Sequence, residues 1–458
     1  MNVGDRILTK QYVQYTVTDL IGQGGQGYVF LVENQNIGKK VLKWYFEEQA
    51  TERQRKAIEN AIRIGAPDED RDGTFIWPQD IVEDRVNGGF GYIMEYIDMS
   101  RYCEYIDMIS DETKVPSLRI RCIISYNLIR AYQRLHLRGY CYRDVSDGNF
   151  LFDIKTGGVA ICDNDNVGVE GESSSQVLGT FEYMAPEILR REAKPGMKTD
   201  LYSLAVLLFK FWVWHHPYHG KMEYECEEFD NKAKLQIYGK DPVFIMNPND
   251  RRNALPIDPE TGELAEGYAD VPGMWDLLPA KLKSAFMHSF TVGINDPDAR
   301  LREYDWLKIF TSMLDNITYC PKDKAEVFAL DKNLRCWYCG EEVKKPQVLT
   351  IKNMSGIYPI ALTSNMRIYG YHLDEFHKMY RDLDILGYMS RNPKNPNVWG
   401  IYNGTNRDWL YSFADGHTAP IKVGMHAPVL NGARIYFNPE SSSEERIIGF
   451  FGTGKKNE

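Results

Sequence analysis

The sequence predicts an α+β chain with a two-lobed leading domain, a cysteine-bearing segment and a small all-β sandwich at the end. Three observations carry this. A glycine turn joins two β-branched and aromatic runs near the start, Asp and Asn residues cluster between short apolar strands after an amphipathic helix, and the last hundred or so residues alternate like short strands between turns. At 458 residues the chain exceeds what one core usually organises, and its 43% apolar content suffices for two or three domains.

After a lead of residues 1–14, YTVTDLIGQGGQGYVFLVE reads as a hairpin whose turn carries Gly22, Gly24 and Gly27 as GxGxxG. A dinucleotide fold needs a helix after that motif, whereas here Val29 continues a strand. Without side chains such a turn lies close over phosphates and offers them backbone N–H donors; glycine turns of no special function share the pattern. The next strand, KKVLKWYF, places Lys43 twenty-one residues after Gly22, within reach of α and β phosphates. A polar helix follows with Glu52 and Glu59 on nearly one face. Glu59 is the preferred partner of Lys43, because sixteen residues give the helix room to climb back over the sheet; the alternative is a solvated surface glutamate, the reading taken for Glu52. FGYIMEYID suits a connection between lobes, with Met94 beside an adenine ring, Glu95 and Ile97 offering backbone groups, and Ile21, Val29, Val41 and Leu151 either as slot walls or as ordinary core.

The decisive segment is CYRDVSDGNFLFD followed by VAICDNDN, in which Asp144, Asn149 and Asp163 have the spacing D-x4-N-x13-D. Oxygen ligands of this kind suit magnesium. The stretch resembles the catalytic and metal-binding loops of protein kinases, with YRDVSDGN for HRDLxxxN and DND for DFG. The resemblance continues through GTFEYMAPE and KTDLYSLAVLLFKFW, and in Arg300, which resembles the arginine that ion-pairs with the APE glutamate, here Glu187. It implies a bilobal protein-kinase-like fold over residues 15–315, with lobes at about 15–97 and 98–315. More narrowly, YGKDPVFIMNPNDRRN and LPAKLKSAFMHSF resemble bacterial serine/threonine kinases that carry a zinc ribbon after the catalytic domain.

By this resemblance Asp144 accepts the proton of an attacking hydroxyl, Asn149 and Asp163 hold magnesium against ATP, and Lys43 with the glycine-turn amides stabilises the transferring phosphoryl group. The implied activity is phosphoryl transfer to serine or threonine of proteins, autophosphorylation included, and by association an opposing phosphatase. Two departures stand out: Ser146 where a lysine is usual, and Asn164 and Asp165 in place of phenylalanine and glycine. Tyr142 for histidine is milder. A nucleotide-binding pseudokinase scaffold and a small-molecule kinase are therefore the competing readings, and GTFEYMAPE favours a protein substrate over the latter. The polar VEGESSSQVLGT offers Ser173, Ser174, Ser175 and Thr180 as phosphorylation sites, with Arg143 either a phosphate partner or structural.

In residues 316–345, Cys336 and Cys339 form CxxC, while Cys320 and Asp323 form CxxD. The four would make one tetrahedral zinc site, or a metal-free remnant of a degraded ribbon. Residues 346–458 read as a β-sandwich resembling forkhead-associated domains, although Tyr369, Gly370 and Tyr371 stand about where a phosphate-binding arginine is expected, which favours an interaction or structural module. His215, His216 and His219 follow a buried helix without companion ligands and read as structural.

A formal charge of −10 argues against non-specific nucleic-acid binding. Eight irregularly spaced cysteines fit a reducing cytoplasm, the amino terminus lacks an export signal's apolar stretch, and the most apolar run, Leu201 to Trp214, is too short to span a membrane.

Overall fold

The computed structural model describes residues 1–67, 73–84, 88–171, 179–330, 334–373, 380–392 and 395–452. The chain divides into two compact units, Met1–Pro116 with Ile123–Leu307, and Ser117–Cys122 with Lys308–Glu458.

The first unit begins with six antiparallel strands, β1 (Arg6–Leu8), β2 (Gln14–Gln23), β3 (Gly27–Asn34), β4 (Gly38–Tyr45), β5 (Asp80–Glu83) and β6 (Phe90–Glu95), in the order β1-β2-β3-β4-β6-β5. Alternation along β3 turns Phe30 and Val32 into a core with Val17, Leu42 and Ile93. Helix α1 (Glu52–Ile64) starts where the Thr51 hydroxyl accepts from Gln54 N and stops at Gly65, whose φ of 77° few other residues tolerate. It buries Ile58 and Ala61, and Ile58 packs with Tyr45, Ile81, Phe90 and Tyr92.

The helical part is organised around Met197–Val213. Its side chains from Leu204 to Phe209 are all buried, and an apolar surface on every side requires neighbours on every side. Phe209 meets Phe244, Phe286 and Phe290 at ring-centroid distances of 5.4, 5.2 and 5.5 Å. The expected structural pair forms: Arg300 donates through both terminal nitrogens to the Glu187 carboxylate at 2.7 and 2.8 Å, with both residues buried. The three histidines are held by hydrogen bonds, His215 to His219 O, His216 to Glu182 O and His219 to Tyr238 Oη, and burial depresses all their pKa values.

The second unit holds a small hairpin, Ile317–Tyr319 with Glu326–Phe328, and two larger antiparallel sheets of six and four strands. Leu349, Ile351, Trp409, Tyr411 and Ile435 from one sheet share a buried cluster with Ile368, Met389 and Ile401 from the other. No helix among the described residues is long and apolar enough to cross a membrane.

Candidate active site

The glycine turn between β2 and β3 lies close over β4. A side chain at Gly27 would meet the Trp44 carbonyl oxygen at 2.1 Å, so glycine there is a steric requirement. Gly24 N donates to Gly27 O at 2.9 Å and closes the turn, while Gly24 has open space beside it and a side chain at Gly22 would make ordinary contact with Val29 Cβ at 3.8 Å. Directly across from Val29, Lys43 points from β4 into a buried cluster of polar groups.

Four side chains converge on or near that ammonium. Lys43 Nζ pairs with the Asp163 carboxylate, donates to Asp165 Oδ2 at 2.8 Å, and donates to Gln26 Oε1, on the glycine turn itself, at 2.9 Å. Tyr45 Oη donates to the same Asp165 oxygen and accepts from Gln54 Nε2 of α1 at 3.0 Å. Burial pushes the Lys43 pKa down, but the negative charges of Asp165 and Asp163 more than restore it, so the lysine stays cationic. The Asp163 carboxyl is pushed up to about 6, first by burial and then by its neighbour Asp165, with Lys43 opposing both.

Glu59 is not the partner of Lys43. Its carboxylate pairs instead with Lys10 Nζ at 2.5 Å and with Arg55 at 3.6 Å, which holds it on the outer side of α1 with the amino-terminal strands. The cause lies in the helix register, since Ile58, one residue earlier, is fully buried and faces the sheet. Glu52 sits among Arg55 and Lys56 on the exposed side.

The loop that leads into Asp144 is set by a single buried carboxylate. Asp200, near the start of the Met197–Val213 helix, accepts from Tyr142 N at 2.6 Å and Arg143 N at 2.9 Å, and pairs with His136 Nε2 at 3.1 Å. The Tyr142 hydroxyl donates to Cys162 O, tying this loop to the residue before Asp163. Asn149 Nδ2 donates to the Asp144 carbonyl at 3.0 Å, leaving the Asn149 amide oxygen as an acceptor. Asp144 Oδ1 accepts from both the backbone N–H and the hydroxyl of Thr180 at 2.8 Å, and the cleft at Asp144 is lined by Gly179, Thr180, Tyr183 and Met184.

Asp163 adopts the left-handed conformation, φ 56° and ψ 50°, at the start of the 3-10 turn Asn164–Asn166. Asn164 is fully buried and donates to Ile76 O at 2.9 Å and Ile161 O at 2.8 Å. Polar bonds to the main chain thus hold the turn where an aromatic ring would otherwise pack. Ser146, at the usual lysine position, is buried. Arg143 is buried against the Gly168–Val169 strand, with its guanidinium donating to Val169 O at 3.2 Å and Nε to Cys141 Sγ at 3.3 Å, which accounts for its structural reading. Ser173, Ser174 and Ser175 lie outside the described residues.

Of the proposed slot residues, Met94 and Ile97 pack against a cluster of Ile76, Leu151 and Ala160, and Val41 is the register partner of Met94. Ile21 is exposed on β2, and the Glu95 side chain turns outward to Lys40 and Gln79. Asn149 and Asp163 supply a neutral and an anionic oxygen, the donor chemistry magnesium takes. Gln26, Tyr45 and Asp200 escaped the sequence reading, and Asp165 read there only as a departure from glycine. Asp200 gave one signal, the single carboxylate of a mostly apolar helix.

The second cluster is Cys320, Asp323, Cys336 and Cys339, whose ligand atoms all lie within 4.8 Å of one another. Cys320 Sγ and Cys339 Sγ are 3.6 Å apart, and Cys336 Sγ is 3.4 Å from Asp323 Oδ2.

Residues 15–260, just over half the chain, match the protein kinase domain model. Among curated relatives, the serine/threonine-protein kinase sck2 of Schizosaccharomyces pombe is 34% identical over 24% of this chain and 18% of its own length. The serine/threonine-protein kinase sck1 of the same yeast is 28% identical over 38% and 26%, and the serine/threonine-protein kinase PSK2 of Saccharomyces cerevisiae 24% identical over 48% and 20%. The chain thus spans about a fifth to a quarter of the length of these relatives. They are eukaryotic, which corrects the narrower expectation of a bacterial affinity.

Proposed function

This chain belongs to the protein kinase family, and from that premise we propose that it transfers the γ-phosphoryl group of ATP to serine or threonine hydroxyls of proteins. The observation that carries the reading is the ion cluster beneath the glycine turn, where Lys43 meets Asp163 across 120 residues of sequence. A turn that approaches main chain closely, a buried cation and an exposed-edge carboxylate together suit a triphosphate. That the relatives are serine/threonine-protein kinases supports the serine/threonine assignment.

In this reading the acceptor hydroxyl sits at Asp144, in the place where the Thr180 hydroxyl now lies. Its oxygen attacks the γ-phosphorus, the bond from that phosphorus to the bridging oxygen of ADP breaks, and the hydroxyl proton passes to Asp144. Lys43 and the glycine-turn amides hold the phosphate oxygens as charge spreads over them. Asn149 and Asp163 would hold magnesium, which supplies neutralisation of phosphate charge when bound. Autophosphorylation in residues 173–175 and 180 belongs to the same proposal, and the carboxy-terminal sheets are assigned to protein interaction.

The test is transfer of label from radiolabelled ATP with magnesium, comparing the intact chain with Asp144→Ala and Asp163→Ala. Loss of labelled phosphoserine and phosphothreonine by a thousandfold in both variants is expected. A chain that binds ATP yet labels neither itself nor any protein under varied metals would establish the scaffold instead, with Ser146 and Asn164 as its explanation.

We further propose that Cys320, Asp323, Cys336 and Cys339 bind one zinc ion. The two halves share a backbone design. Cys320 N donates to Ala325 O and Lys324 N to Cys320 O, as Cys336 N donates to Glu341 O and Gly340 N to Cys336 O. Both fourth-position residues, Lys324 and Gly340, have left-handed φ, 67° and 72°. Asp323 therefore occupies the same place in its knuckle that Cys339 occupies in the other. The 3.6 Å sulfur separation fits the edge of a tetrahedron with zinc–sulfur bonds of about 2.3 Å, and is far longer than a disulfide of about 2.05 Å. Elemental analysis should give one zinc per chain, reduced to less than a tenth in Cys336→Ser; a metal-free chain would establish the remnant.

A further inference from the structure

We infer that Asp165 positions Lys43 for the nucleotide phosphates, taking the part that a glutamate of α1 was expected to play. The inference rests on the kinase reading and concerns what holds its lysine.

Helix α1 offers Lys43 no carboxylate. Glu59 is committed to Lys10 and Arg55, Glu52 to Arg55 and Lys56, and the side chain the helix turns inward is Ile58. The lysine instead finds both its carboxylates in the Asp163–Asp165 turn. These two are not equivalent. The Asp163 side chain is 31% exposed and sits where an incoming metal would draw on it, whereas the Asp165 side chain is 0% exposed and cannot leave. Only Asp165 can serve as the lasting partner.

Asp165 is itself fixed. Tyr45 Oη donates to the Oδ2 that accepts from Lys43, and Gln54 Nε2 of α1 donates to Tyr45 Oη. Its other oxygen, Oδ1, is buried with no hydrogen-bond partner among the described residues, so the Lys43 charge is what makes this buried carboxylate tolerable. Dependence is mutual: the lysine needs the anion for its place, and the anion needs the lysine for its charge. Among the described residues, the hydrogen-bonded link from this carboxylate to α1 runs through two neutral side chains, Tyr45 and Gln54. The lysine anchor is thus built into the metal-aspartate turn and does not require a helix glutamate to swing in.

The 458-residue chain is compared with Asp165→Asn, which keeps the shape and removes the charge, with Tyr45→Phe, and with Glu59→Gln, whose carboxylate the structure assigns to Lys10. Affinity for a fluorescent ATP analogue is measured with magnesium, together with kcat and KM for ATP and for the protein acceptor. Asp165→Asn should weaken nucleotide binding and raise KM for ATP tenfold or more, with KM for the acceptor within twofold; Tyr45→Phe should move the same quantities about threefold, and Glu59→Gln less than twofold. Asp165→Asn within twofold of the parent for ATP, or a tenfold loss in Glu59→Gln, would overturn the inference. Should Asp165→Asn fail to fold, the opposed pair Tyr45→Phe and Glu59→Gln decides by the same criteria. A parent chain that binds no nucleotide defeats the kinase reading separately. A double-mutant cycle of Lys43→Met with Asp165→Asn in urea unfolding then decides the pairing, with zero coupling overturning it.

Discussion

Two aspartates with almost no exposed surface, Asp200 and Asp165, lie beneath the two halves of the site and do different work. Asp200 accepts from main-chain N–H groups of the catalytic loop, so it fixes a backbone path whatever side chains that path carries. Asp165 accepts from side chains, Lys43 and Tyr45, so it fixes one functional group and depends on that group in return. The loop around Asp144 can keep its geometry through changes at Tyr142 or Ser146. The turn at Asp163 has instead been rebuilt: Asn164 replaces hydrophobic packing with two bonds to carbonyls, and Asp165 supplies the anion that α1 does not.

The largest effect should come from Asp200→Ala, which strands two backbone donors and leaves His136 without one of its partners. A loss of about 3–5 kcal/mol in urea unfolding is expected, as when one member of a buried ion pair is removed. A loss under ~1 kcal/mol would break the view that this carboxylate carries the loop.

A second consequence is a pH dependence on the loop side. His136 is buried, and although burial works against its charge, Asp200 and Glu303 raise its pKa to about 9. Because the folded value exceeds the unfolded one, its stabilisation is complete below pH 6.5, declines above it, and is lost as pH rises through 9; it amounts to at most about 3 kcal/mol. Stability measured from pH 6 to 10 should fall across that window and flatten in His136→Asn; an unchanged slope in the variant would remove His136 as the cause.

Next in size, Asn164→Ala takes the donor from the Ile76 carbonyl and one of two donors from the Ile161 carbonyl, which keeps Ile76 N, and opens a small void, at a cost of about 2 kcal/mol. Asn164→Leu sharpens the comparison, since recovery of stability in that variant would show that apolar packing can hold the turn equally well. Smallest is Tyr142→Phe, which removes one hydrogen bond to Cys162 O and should cost about 1 kcal/mol in the same unfolding assay.

Much of the site was legible in the chain because its parts are short and their spacing is local. GxGxxG before a strand, Lys43 on the next strand, and D-x4-N-x13-D on loops each encode a residue type whose chemistry is tied to a nearby turn. The Met197–Val213 helix and the Arg300–Glu187 pair were readable likewise, one from continuous apolarity and the other from a motif at each end. The partner of Lys43 was not. Glu59 and Ile58 are adjacent in sequence, and a rotation of about 100° on the helix decides which of them faces the sheet. Asp165 read only as a departure from a glycine, because nothing in its neighbours announces a lysine 122 residues away.

By itself, then, the sequence determined the glycine turn with the strands it joins, the buried helix, and the residue types able to handle phosphate and metal, since these follow from local conformation and side-chain chemistry. Only the tertiary structure decided which carboxylate each cation takes, placing Asp165 on Lys43, Asp200 under the catalytic loop and Glu59 on Lys10. Ion pairing falls off over a few ångströms, and distances of that size between remote residues are fixed by packing rather than by spacing along the chain.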